Sequence, residues 1–143
     1  MRSLISKACF GFALLCMAPA TSFAEKSYLC AINEVYECVT VKGCSRISLE
    51  TANLPAVMLI DIENNKLTSA PLGQKPTTND IENVVVTDES VLLHGVGKRG
   101  PTDRTWSALI SLKTGKMSAG VSTPDASLAL SGRCTGTPLI HPD

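Results

Sequence analysis

The chain has 143 residues, and its 13 Lys and Arg balance its 13 Asp and Glu, so it carries no net formal charge. Such a balance excludes the strongly basic composition that nucleic-acid binding usually needs, and the length suits one domain rather than several.

The first 24 residues have the build of a cleavable export signal. Arg2 and Lys7 give a positive start, residues 8–18 form an apolar run too short to cross a bilayer, and Pro19 ends it. Ser22-Phe23-Ala24 places small residues at the two positions a signal peptidase recognises, so cleavage is expected between Ala24 and Glu25. An uncleaved anchor would need a longer run, and lipid attachment at Cys16 would need a small residue where Leu15 stands. The mature chain, residues 25–143, loses Arg2 and Lys7 and keeps every acidic residue, leaving 11 basic against 13 acidic. It is expected in the periplasm or outside the cell, with no membrane span. Intact-mass measurement of the exported protein tests this. The expected species begins at Glu25, and one that retains Met1 or carries lipid on Cys16 contradicts it.

Past the leader, strand signals dominate. Residues 28–38 read as a first strand, and a tight loop at Lys42-Gly43 turns the chain back between Cys38 and Cys44. Residues 48–53 suggest a helical turn, with Ser48 or Ser45 as its cap, Glu50 in the first turn and Pro55 to stop it. Residues 56–62 form a strongly apolar strand, Glu63-Asn64-Asn65-Lys66 a polar turn, and residues 66–70 the returning strand. The Pro- and Thr-containing stretch 71–79 is expected to be a loop. Strands at 81–87 and 91–96 meet at Asp88-Glu89, and a second loop covers 97–103. From 104 to 112 the residues alternate, with Trp106, Ala108, Ile110 and Leu112 on a core face. Similar alternation at 117–122 and 128–133, after the turns Lys113-Thr114-Gly115-Lys116 and Thr123-Pro124-Asp125, extends this into a meander. Residues 138–143, with Pro138 and Pro142, read as a loose tail. About eight strands with almost no helix predict an all-β antiparallel meander barrel; a β-sandwich is the alternative.

Six cysteines divide between leader and domain. Cys9 and Cys16 leave with the signal, and Cys30, Cys38, Cys44 and Cys134 remain, an even set that reads as two disulfides in an exported chain. A zinc site is the rival, but no C-x-x-C pair is present and neither histidine lies near. The loop between Cys38 and Cys44 favours their pairing and leaves Cys30 for Cys134. That second bridge would pin the first strand to the last, cover two sheet edges and close a barrel. Cys30–Cys38 is the competing pairing, and it would need a hairpin loop at Asn33-Glu34-Val35, which lacks glycine.

Motifs for chemistry are few. Gly95, Gly97 and Gly100 spell G-x-G-x-x-G after a strand, but Pro101 and another strand follow where a dinucleotide site needs a helix. These glycines are expected to serve a flexible loop. Asp61, Glu63 and Asn65 alternate like the start of a calcium loop, yet Lys66 and Leu72 occupy the places of its glycine and glutamate. His94 shares a strand face with Leu92 and Val96 and is expected as a core or barrel-rim residue; His141 lies in the tail. No catalytic residue, metal ligand or cofactor site is assigned. Lys98, Arg99 and Arg104 bunch three positive charges about Gly100 and Pro101, which makes loop 97–104 the candidate partner contact.

From Gly95 onward the spacing carries a resemblance. Gly95-Val96, Arg104-Thr105-Trp106-Ser107, Thr114-Gly115-Lys116-Met117 and Gly132-Arg133-Cys134-Thr135, with Asn53-Leu54-Pro55 and the early cysteines, resemble uncharacterised small exported β proteins of proteobacteria. That resemblance implies export and an all-β fold and brings no activity with it. Tyr28-Leu29-Cys30 with a late Cys134 is similar, more distantly, to periplasmic lysozyme inhibitors of the MliC type, whose inhibitory loop motif this chain lacks. The expected role is a non-enzymatic exported barrel that binds an envelope component, a protein or a small ligand. The alternatives are an inhibitor of a hydrolase such as lysozyme, and a structural subunit of an envelope complex.

Overall fold

The computed structural model describes residues 27–99 and 102–136. Ten strands form one antiparallel sheet: β1 (Ser27–Val39), β2 (Gly43–Ile47), β3 (Pro55–Asp61), β4 (Lys66–Pro71), β5 (Thr77–Asp80), β6 (Asn83–Val86), β7 (Ser90–Arg99), β8 (Thr102–Ser111), β9 (Lys116–Ser122) and β10 (Ala126–Gly136). A helical turn, α1 (Leu49–Ala52), precedes β3. Across the sheet the order is β5-β4-β3-β1-β10-β9-β8-β7-β6, with β2 paired to the second half of β1. One sheet holds all the described strands, so the all-β meander stands and the two-sheet sandwich does not.

The sheet curls because its apolar face turns inward. Trp106, Ala108 and Ile110 of β8 line that face, as do Met117, Ala119 and Val121 of β9. A bulge in β1 between Ile32 and Glu34 lets both Ile32 and Val35 point in. Near the turns at 62–65, 87–89 and 112–115 the interior is filled solidly by Tyr28, Cys30, Ile60, Val91 and Ile110, all buried.

The edges of the curled sheet are successive pieces of chain. β5 pairs with β4 and β6 pairs with β7, yet only Ile81 and Glu82 separate them. Ile81 N–H donates to the Asn65 carbonyl at 2.8 Å, Glu82 N–H donates to the His94 carbonyl at 2.9 Å, and the Ile81 side chain is buried. The chain thus steps from one edge to the other, making β5 and β6 two halves of one bent strand. Counted so, eight strands circle the interior, β2 stands aside as a flap, and the barrel wall is incomplete beside β5.

The bridges are Cys30–Cys134, across 104 residues, and Cys38–Cys44, across six. Cys30 and Cys134 face each other on β1 and β10, the first and last strands, but these are neighbours in the middle of the sheet. The expectation that this bridge closes the barrel by covering two edges is therefore corrected. It pins a ladder that is already internal, and the step at Ile81-Glu82 brings the edges together instead. Cys38–Cys44 braces the outer end of the β1–β2 hairpin.

Local signals account for the turns. Ser48 caps α1 by accepting the Thr51 N–H at 3.1 Å, and Asn53 ends it in the left-handed region. Asp61 accepts the Asn64 N–H at 3.0 Å and its side-chain amide at 2.7 Å, so the calcium-like spacing serves a hairpin tip.

Both expected loops are corrected in part. Residues 77–80 of the stretch 71–79 and beyond form β5, whose backbone groups β4 takes up. Thr68 and Thr78 share a hydroxyl hydrogen bond of 2.9 Å, and Lys66 pairs with Asp80. The loop 97–103 is also strand: Gly97 lies opposite Arg104, Lys98 opposite Asp103 and Arg99 opposite Thr102.

Candidate binding cavity

The site grows from two cross-strand pairs in β7 and β8. Arg104 and Trp106 point inward, and the residues facing them on β7 are Gly97 and Gly95. A Cβ at Gly95 would sit inside the Trp106 indole, so that ring lies flat across the glycine. A Cβ at Gly97 would lie 3.2 Å from Arg104 Nε, so the arginine side chain crosses the second glycine in the same way. The glycine spacing that imitates a dinucleotide motif is therefore a shelf for two large side chains from the next strand. The expected flexible glycine loop is corrected accordingly; Gly100 lies outside the described residues.

Above the solid core this shelf bounds a cavity of about 110 Å³. Ile32, Met58, Leu67, Trp106, Val121 and Leu130 give it an apolar lining. Leu54 and Pro55, where α1 runs into β3, form part of its border. Gln74 donates to Asn53 at 2.9 Å and ties the 72–76 loop to that border. The polar groups that line it are Asn79, Ser69, Ser107 and Arg104, and no carboxylate of the described residues joins them. A chamber sealed below and open above, apolar on its walls with a few polar groups, has room for a small apolar group and lies well below the roughly 300 Å³ of a pocket for a drug-sized ligand.

The positively charged candidates separate. Arg104 is half-buried and lines the cavity, whereas Lys98 and Arg99 are placed by their backbone pairing toward the outer end of the β7–β8 hairpin. Trp106, expected on the core face, packs half-buried against the core and also lines the cavity. His94 is corrected more sharply. Val91, Leu93 and Gly95 take the inward face of β7, so His94 is exposed on the outside with Leu92 and Val96. Beside it Val85, Leu92 and Leu109 stand in register across β6, β7 and β8, an exposed apolar row. Among the described residues no three of His, Cys, Asp and Glu are grouped to hold a metal, and no helix is long and apolar enough to cross a membrane. Ala24, Glu25 and the 138–143 tail lie outside the described residues.

What the fold and cavity define is a small antiparallel β-barrel with a one-ended apolar chamber. No protein-family model matches the chain, and neither a curated protein nor a solved structure matches it.

Proposed function

We infer that this chain is an exported, non-enzymatic binding protein that takes an envelope component or another partner at the open end of its barrel. The observation that carries the reading is the chamber: one end is filled by core side chains while the other stays open over an apolar lining. Two disulfides support an oxidising compartment, in keeping with the signal-like leader. Lys98 and Arg99, on the hairpin whose Arg104 lines the cavity, remain proposed partner contacts. The test is native mass spectrometry of protein recovered from an exporting host, beside Ala119→Leu, which fills the chamber from β9. A bound mass carried by the wild type and absent from Ala119→Leu is expected. Two bare proteins would remove the reading.

A second reading, inhibition of a hydrolase such as lysozyme, draws on the β1–β2 tip. Val41 is 95% exposed on a turn that Cys38–Cys44 holds in shape, and a pre-organised loop loses little entropy on entering a cleft. On this reading the inserting loop is 39–43 rather than 97–104. Lysozyme activity should fall with added protein and recover with Val41→Asp; unchanged activity rejects it.

A further inference from the structure

We propose that the chamber holds a small monocarboxylate, its short apolar body among Met58, Leu67, Trp106 and Val121 and its carboxylate at Arg104. This rests on the binding reading above and specifies the ligand's chemistry.

Three observations converge on that class. Arg104 is the one charged residue among the described residues that line the chamber. Gly97 lets its side chain lie across β7 beside the Trp106 indole, which sets a planar donor fork at the border of an apolar space. A guanidinium has five N–H donors, so protein contacts and a ligand can share it. Asn79 and Ser69, on the β4–β5 wall, add neutral hydrogen-bonding groups.

Size narrows the ligand further. A dry protein cavity of roughly 150 Å³ accommodates benzene. At about 110 Å³ this chamber is smaller and suits the apolar part of a chain of about four or five carbons, and a long acyl chain would have to leave most of its length outside.

The chain supplies its own probe, since Trp106 is its one tryptophan and lines the chamber. The oxidised, full mature protein is titrated with hexanoate, hexanol, hexylammonium and acetate while Trp106 emission is followed. Hexanoate should saturate and shift the emission, binding about tenfold or more tightly than hexanol because a charge-assisted hydrogen bond is added. Hexylammonium and acetate should fail, the first on charge and the second on missing apolar contact. Arg104→Gln should bring hexanoate down to the hexanol level, Ala119→Leu should abolish the response, and Arg133→Gln, on the exposed face of β10, should change neither. The wild-type comparison of hexanoate with hexanol needs no variant, so it decides even if Arg104→Gln fails to fold. Equal binding of hexanol and hexanoate overturns the carboxylate class and leaves the binding barrel standing. Silence from all four probes also overturns the proposal, while a bound mass in the native spectra would still support a barrel with a different ligand.

Discussion

Removing the Cys30–Cys134 bridge should bring the domain to the edge of unfolding. Closing a 104-residue separation stabilises by about 4.8 kcal/mol in the chain-entropy model, against about 2.4 kcal/mol for the six-residue span of Cys38–Cys44. A domain of this size has a net stability of only about 5–15 kcal/mol, so the first loss is a large share of the total. Position adds to length. β1 is hydrogen-bonded to β10, β2 and β3, and the buried Cys30 lies where the β10 and β3 ladders meet on it, opposite Cys134 and Met58. Cys44 is exposed at a hairpin end, and losing its bridge should fray β2 alone. Denaturant midpoints of Cys30→Ala/Cys134→Ala and Cys38→Ala/Cys44→Ala check this, as does graded reduction, in which Cys38–Cys44 should open first. Equal losses from the two double variants would refute the unequal weighting.

Gly132→Ala should be far more damaging than the same change at Gly97 or Gly120. On the buried face of β10 opposite Ile32, its Cβ would run into the backbone carbonyl of Ala31 and stand 2.9 Å from Met117 Cε. Backbone in a central ladder cannot swing aside as a side chain does. The two strands must separate two residues from the buried disulfide, and overpacking of this kind costs about 1–3 kcal/mol. Gly97→Ala meets the flexible Arg104 side chain and should cost less. Gly120→Ala meets nothing nearer than the Leu128 carbonyl at 3.8 Å, so it should be neutral within about 0.5 kcal/mol. Urea melts of the three variants should rank in that order. A Gly132→Ala midpoint equal to that of Gly120→Ala would show that β1 and β10 have room to adjust.

The same glycines explain what the sequence could and could not disclose. Alternation was legible in β8, β9 and β10 because each has one apolar and one largely polar face. The helical turn was legible because Ser48, Glu50 and Pro55 act locally. In β7 both faces are apolar, Val91 and Leu93 against Leu92 and Val96, so period two gave no phase and His94 went to the wrong side. Gly95 and Gly97 resembled a loop because their missing bulk is supplied by Trp106 and Arg104 on the neighbouring strand. No local pattern contains that partner. The polar run 77–80 likewise became strand through pairing with β4, where tertiary context overrides propensity. The chamber was the least legible feature, since its lining comes from strands scattered along the whole chain. The nearest signal was a lone arginine at an inward phase of an otherwise apolar strand face.

The register of β1 against β10 also fixes how the domain would be carried. Tyr28 lies opposite Gly136, and Ser27 pairs with Asp61 at the entrance to the 62–65 turn. Both ends of the described barrel therefore leave beside one another at the plugged pole, with the chamber opening at the other. Any tether, whether a surface linkage, an affinity tag or a fused module, would hold the barrel from behind and aim its mouth outward. The same adjacency would let a short linker join residue 136 to residue 27 while the chain is reopened in the 72–76 loop, giving a circular permutant whose ends lie at the open pole instead.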